Sequence, residues 1–220
     1  MVSTSEPGSP EGKSPDVAHP DLFSAQQATA DSVPLAVPVT QTAVLVVDMV
    51  NDYLDPAGAM PLPDTEAVIA ATASLVKGAQ AAGALVAWVR PGHREAADGL
   101  FRKRIVHAVG ESWGAQFHPA LSTAPGEQIF RKRRYSAFFQ TDLDCYLREH
   151  DVLRVIICGV ALNICVRSTV HDAFFLGYDV WVAEDACQAT STRERDSTLY
   201  DIETHFGHVV TVENVIEAWT

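Results

Sequence analysis

No apolar run in this chain of 220 residues approaches the eighteen or so that a membrane-spanning helix needs. Nor is there a basic block long enough to follow a phosphate backbone. Sixteen Lys and Arg stand against 28 Asp and Glu, a formal charge of −12, so nucleic acid is not an expected partner. Cysteine is scarce. Cys145, Cys158, Cys165 and Cys187 form no CxxC pair, and a chain this long does not depend on disulfide staples. The start lacks the basic residues and apolar core of a secretory signal. Free thiols in a reducing cytoplasm are therefore expected. No internal repeat is present.

What remains is a chain that is 47% hydrophobic, enough for one sizeable globular domain over 39–220. Residues 1–38 differ. "MVSTSEPGSPEGKSPDVAHPD" is rich in Ser, Pro, Gly and acids and cannot bury enough apolar surface to offset its ordering entropy. A flexible tail is expected there, with a short ordered piece near "DLFSAQQAT" (21–29).

Beyond the tail, apolar runs alternate with helical patterns. "TAVLVVD" (42–48), "ALVAWVR" (84–90), "EQIFRK" (127–132), "VLRVIICGV" (152–160), "DVWVAED" (179–185) and "HVVTV" (208–212) read as strands. Helices are predicted over 64–83 with Asp64 as cap, 141–151 with Thr141 as cap, 164–178, 191–207 and the closing "ENVIEAWT". A short helix near 99–107 interrupts a long polar stretch, 91–126. This alternation predicts an α/β protein, with helices on both sides of a six-stranded parallel sheet in a three-layer, doubly wound arrangement. Ligands in such sheets bind past the carboxyl ends of the strands, where the strand order reverses.

Three residues with chemistry fall on that edge. Asp48 ends the first strand, Lys132 ends the third, and Cys165 follows the fourth. Each has a plain reading: a turn acid, a solvated charge within "RKRR", a packed thiol. Order 3-2-1-4-5-6 would make the first and fourth strands neighbours and let Asp48 meet Cys165, with Lys132 reaching in from the side. A helix start and a nearby ammonium both favour thiolate. A carboxylate can take the thiol proton and return it to a leaving amine. Backbone N–H groups at the helix start can hold an oxyanion. The set suits acyl transfer from an amide to water through a thioester.

"VLVVDMVNDYLDPAGAM", "RKRRYSAFFQTDLDCYL" and "CGVALNICVRSTVHDAFFLGYDVWVAEDA" together resemble the isochorismatase-like cysteine hydrolases over about 42–215. "RYSAFF" and "DIETHFG" resemble the ureidoacrylate and N-carbamoyl amidohydrolase branch in particular. The resemblance implies strand order 3-2-1-4-5-6 and a catalytic Asp48, Lys132 and Cys165. It implies a non-proline cis bond at Val160–Ala161, aiming the Ala161 N–H with that of Cys165 at the oxyanion. It also implies a homodimer or homotetramer acting on a small molecule. Two positions depart from it: Val50 stands for the usual Gln, and Leu162 for the usual Thr. The missing hydroxyl bears on substrate choice and leaves the three catalytic candidates in place.

Tyr53 is expected to touch substrate, Trp113 to wall or cover the pocket, and Asn163 to bond substrate or cap the helix. Arg133 and Arg134 would offset Asp48 or grip a carboxylate, or be solvated, and Tyr135 would pack. Nicotinamidase relatives bind a metal through an Asp-x-His pair and a further His after the second strand. That region here reads "VRPGHREAADG", with His93 alone and expected at the surface. No metal and no cofactor are expected, and nicotinamide is a poor candidate substrate. Two other readings stay open: an isochorismatase-type vinyl ether hydrolase, which can dispense with the cysteine, and a non-catalytic binding protein on the same fold.

Overall fold

The structure, a computed structural model, describes residues 36–94 and 99–220. The expected tail lies almost wholly outside them, and its ordered piece does so entirely.

The elements follow in alternation. Strand β1 (Thr42–Val47) leads through a short helix α1 (Asn51–Leu54) to α2 (Thr65–Ala82) and β2 (Leu85–Pro91). After a long connection come β3 (Gln128–Lys132), α3 (Leu143–Glu149) and β4 (Arg154–Val160). A π-helical turn (Leu162–Val166) runs straight into α4 (Arg167–Phe175), followed by β5 (Asp179–Gln188). Then α5 (Thr192–Asp201), a second π turn (Ile202–Phe206), β6 (His208–Val210) and α6 (Val212–Glu217) close the chain.

The six strands pair in order β3-β2-β1-β4-β5-β6, all parallel. Every residue of β1 and of β4 is buried. Continuous apolar runs such as "AVLVV" are what a strand covered on both faces requires. Helices α2 and α6 pack together, while α4 and α5 pack against the two π turns. The result is the expected three-layer, doubly wound sheet, whose reversal point lies between β1 and β4.

Local details differ from expectation. Asp64 precedes α2 but sits at φ 51° and makes no capping hydrogen bond. Gly83, at φ 79°, ends that helix as a left-handed cap, the conformation glycine adopts without steric cost. Helix α3 is shorter than expected, although the Thr141 hydroxyl does accept the Leu143 N–H at 3.3 Å. Only a 3₁₀ turn, Gly99–Arg102, forms in the described part of 91–126 expected to hold a helix, besides a second at Trp113–Ala115. Helix α1 has too few residues to show a periodicity.

One glycine shapes the reversal point. Gly159 adopts φ 118°, and a Cβ there would stand 2.0 Å from the Val47 carbonyl oxygen. Glycine therefore lets β4 run against the end of β1 just before the chain turns toward Cys165.

Candidate active site

Asp48 follows β1 directly and takes φ 56°, turning the chain out of the sheet. Its N–H donates to the Val89 carbonyl of β2 at 2.8 Å. Lys132, the last residue of β3, lies opposite Pro91 of β2 in the ladder. Strand β2 thus separates it from β1, and the long lysine stem spans the gap. Cys165 lies in the π turn after β4.

The structure brings all three together. Lys132 Nζ is 2.7 Å from Asp48 Oδ2 and 3.4 Å from Cys165 Sγ. It also donates to the Arg134 carbonyl at 3.1 Å. An ammonium has three N–H donors, and three acceptors meet it. Asp48 is 0%, Lys132 2% and Cys165 8% exposed, so the cluster is nearly dry. The buried Asp48 carboxylate interacts with both Lys132 and the Cys165 thiol. The Val160–Ala161 peptide bond is cis.

Burial and charge set the protonation states. Burial pulls the Lys132 ammonium toward neutrality, but the Asp48 carboxylate and Cys165 more than offset it, and its pKa lies above the ordinary 10.5. Burial pushes the Asp48 carboxyl up, against the opposing pull of Lys132. Burial also pushes the Cys165 thiol up to about 12; Lys132 lowers it, and Asp48 raises it further. Lys132 is thus held as the ammonium, and burial outweighs the pull toward thiolate that the ammonium exerts on Cys165. The ammonium's charge is already matched by Asp48, so a thiolate would add an uncompensated anion to a desolvated site.

A small pocket, about 70 Å³, opens above the sulfur. Ala161 and Cys165 form its base, and Tyr53, Met60, Leu62 and Tyr135 are among its walls. Tyr53 is placed as expected, and burial followed by the Asp48 charge holds its phenol neutral, well above the ordinary 10.0. Tyr135 faces the pocket as well as the core.

Other expected contacts lie elsewhere. Trp113 is 49% exposed and is not part of the wall; its carbonyl accepts from Asn51 Nδ2 at 2.8 Å. The Asn163 side chain donates to Thr190 Oγ1 at 2.9 Å and accepts the Thr190 N–H at 3.1 Å, so it neither caps the helix nor lines the pocket. Thr190 lines the pocket in its place. Leu162, where a threonine hydroxyl was missed, is fully buried in the core. Arg133 and Arg134 border a separate groove, with Arg134 donating to the Arg133 carbonyl at 2.6 Å.

Met60, Leu62, Arg104, His107, Ile164 and Thr190 also line the pocket and were not singled out in the sequence. Arg104 and His107 lie where a short helix was expected and only the turn Gly99–Arg102 forms. His107 also changes the account of His93. That residue is 5% exposed rather than at the surface, and it is not alone: its ring meets that of His107 edge to face, with centroids 5.1 Å apart. Asp52 organises this wall. Its Oδ1 accepts the Ala59 N–H at 3.0 Å and its Oδ2 the Ala108 N–H at 2.6 Å, tying both wall loops to α1.

The isochorismatase-domain profile matches residues 42–214. The chain belongs to the isochorismatase family. Among solved structures it is similar to an isochorismatase-like hydrolase from Alkaliphilus metalliredigens, with 33% identity and a TM-score of 0.78 over 82% of this chain and 100% of that one. A pyrazinamidase of Pyrococcus horikoshii, solved in complex with zinc, is 30% identical, with a TM-score of 0.73 over 78% of this chain and 99% of that one. N-carbamoylsarcosine amidase from Thermoplasma acidophilum is 26% identical, with a TM-score of 0.71 over 79% and 97%.

Among the described residues no three His, Cys, Asp or Glu side chains converge on one point. His93 and His107 meet by ring packing, and His107 Nδ1 is committed to the Ile105 carbonyl at 2.7 Å. These residues do not fit a zinc site, which takes at least three protein ligands.

Proposed function

We propose that this family member is a cysteine amidohydrolase cleaving the C–N bond of a small linear amide, ureido or carbamoyl compound. The observation that carries the reading is the Lys132 ammonium, 2.7 Å from Asp48 Oδ2 and 3.4 Å from Cys165 Sγ, at the base of a pocket.

The substrate carbonyl sits over Cys165. As sulfur attacks carbon, its proton passes to Asp48, so the thiolate never stands free in the dry site. The carbonyl electron pair moves onto oxygen, where the N–H groups of Ala161 and Cys165 receive it. Lys132 remains charged throughout and stabilises the negative charge that grows on sulfur as its proton leaves. Asp48, now neutral, gives its proton to the leaving nitrogen; a carboxyl raised by burial suits both halves of that exchange. The C–N bond breaks and a thioester remains. Water then loses a proton to Asp48 while attacking the thioester, and that proton returns to sulfur as the C–S bond breaks. A carbamoyl substrate yields ammonia and carbamate by this route, a linear amide ammonia and an acid.

The family resemblance also implies a homodimer or homotetramer. The exposed Phe139, Phe174 and Phe175 near α4 support self-association. Sedimentation as a monomer at micromolar concentration would overturn it.

The test is a screen for ammonia release over ureido acids, N-carbamoyl amino acids, biuret-like compounds, nicotinamide and simple amides. Release from a ureido or carbamoyl compound, abolished in Cys165→Ala, is the expected result. Hydrolysis of a vinyl ether with no amide turnover would favour the isochorismatase-type reading. Silence across both classes would favour a binding protein.

A further inference from the structure

His107 is buried at 6% exposure, yet it is one of the residues that line the pocket above Cys165. Its surroundings are specific. Its ring packs against those of Tyr53, His93 and Phe101, with centroids 5.6, 5.1 and 5.4 Å away. The next residue, Ala108, is held at φ 45° by its N–H bond to Asp52. The ring thus has little freedom to turn.

One nitrogen is assigned by chemistry. Nδ1 lies 2.7 Å from the Ile105 carbonyl oxygen, which can only accept, so Nδ1 carries the proton. In the neutral ring Nε2 is then the acceptor. No described residue hydrogen-bonds it, and it is not among the buried unsatisfied atoms, so the pocket is the space it faces. Among the lining residues His107 is the one imidazole, beside the hydroxyls of Tyr53, Tyr135 and Thr190, the Arg104 cation and the apolar Met60, Leu62 and Ile164.

We propose that His107 is a substrate-binding residue: its Nε2 accepts an N–H of the substrate's carboxamide or ureido group and orients that group over Cys165. The inference rests on the amidohydrolase reading and narrows it to substrates carrying an N–H beside the reacting carbonyl. Esters and ketones of the same shape leave Nε2 unpaired against a dry wall, and are disfavoured.

The test needs no turnover. Iodoacetamide and iodoacetone have nearly the same shape, but only the first carries N–H groups. Both alkylate Cys165 through loss of iodide. Rates are measured by peptide mass in a Cys145→Ser background, since Cys145 is exposed while Cys158 and Cys187 are buried. The preference for iodoacetamide should fall about tenfold in His107→Asn, the worth of one hydrogen bond. Asn keeps the donor to Ile105 but does not reach the Nε2 position. His107→Gln, whose side-chain oxygen reaches it, should restore the preference to within about threefold. A variant-free readout accompanies these: acetamide should protect Cys165 from iodoacetone more than acetone does. An unchanged preference in His107→Asn, or equal protection by acetamide and acetone, would overturn the proposal. Zinc bound stoichiometrically by the wild type and lost in both variants would overturn it too, making His93 and His107 metal ligands. A failed ammonia screen sinks the amidohydrolase reading separately, because alkylation is read without catalysis.

Discussion

The base of the pocket and its wall are built on different principles. Asp48, Lys132 and Ala161 sit at the ends of strands whose register is set by the sheet, and Cys165 lies one turn beyond. The wall comes from loops over 51–62 and 104–108, and buried Asp52 holds them with two N–H bonds. Sheet geometry places the base to within a rotamer. The wall depends on single contacts. A change at the base should therefore remove chemistry, and a change in the wall should alter which molecule is held.

The largest effect is expected from Cys165→Ala. It should abolish hydrolysis while leaving thermal stability near wild type, since the residue borders the pocket; residual activity above about a hundredth would contradict a covalent route. Lys132→Ala should lower kcat strongly, on the order of a hundredfold or more. It also leaves Asp48 buried without its partner, so a lower melting temperature is expected with it. Loss in KM with kcat preserved would move Lys132 from the base's chemistry to substrate binding.

The wall should respond differently. Asp52→Asn turns one acceptor into a donor facing a backbone N–H, a cost of about 1–3 kcal/mol. KM should rise about tenfold with kcat changed much less. An equal fall in kcat would mean that base and wall are not separable. Trp113→Ala, outside the pocket, should leave kcat/KM within about twofold of wild type.

The base has a pH signature of its own. The Asp48 pKa is raised, so as pH falls the carboxylate base is lost above the ordinary 3.8, and the acid limb of kcat/KM should lie above that value. Lys132 stays protonated beyond 10.5, and the thiol titrates at about 12, so no alkaline limb is expected through the mildly basic range. An alkaline rise near neutral pH would signal a free thiolate as the active form.

The same contrast explains what was legible in sequence. Runs such as "TAVLVVD" and "VIICGV" carry their own pattern, so the strands and the placing of Asp48, Lys132 and Cys165 at or just past their ends could be read directly, whereas strand order 3-2-1-4-5-6 was implied by the family resemblance. His107 in "RIVHAVGE" was expected at the end of a short helix that forms only as the turn Gly99–Arg102, and nothing local distinguishes it from a surface histidine. Trp113 is turned away because its loop's direction is set by contacts such as Asn51 to the Trp113 carbonyl, far apart in sequence, and Asn163 because its side chain pairs with Thr190. The thiol's environment was only half legible: a helix start and an ammonium can be read from sequence, but the burial that raises the thiol, and the Asp48 charge that adds to it, belong to the folded site.

The most direct test of the account is Asp48→Asn, read in two ways at once. Turnover should fall about a hundredfold to ten-thousandfold, as for other general acid–base groups. Meanwhile Cys165-dependent thiolate absorbance should appear at a lower pH than in the wild type, because burial still raises the thiol but the Asp48 anion that raises it further is gone and Lys132 remains. Thiolate gained while turnover is lost would establish Asp48 as the proton carrier. Near-normal turnover in Asp48→Asn would contradict the account and leave a Cys165–Lys132 pair as the catalytic unit.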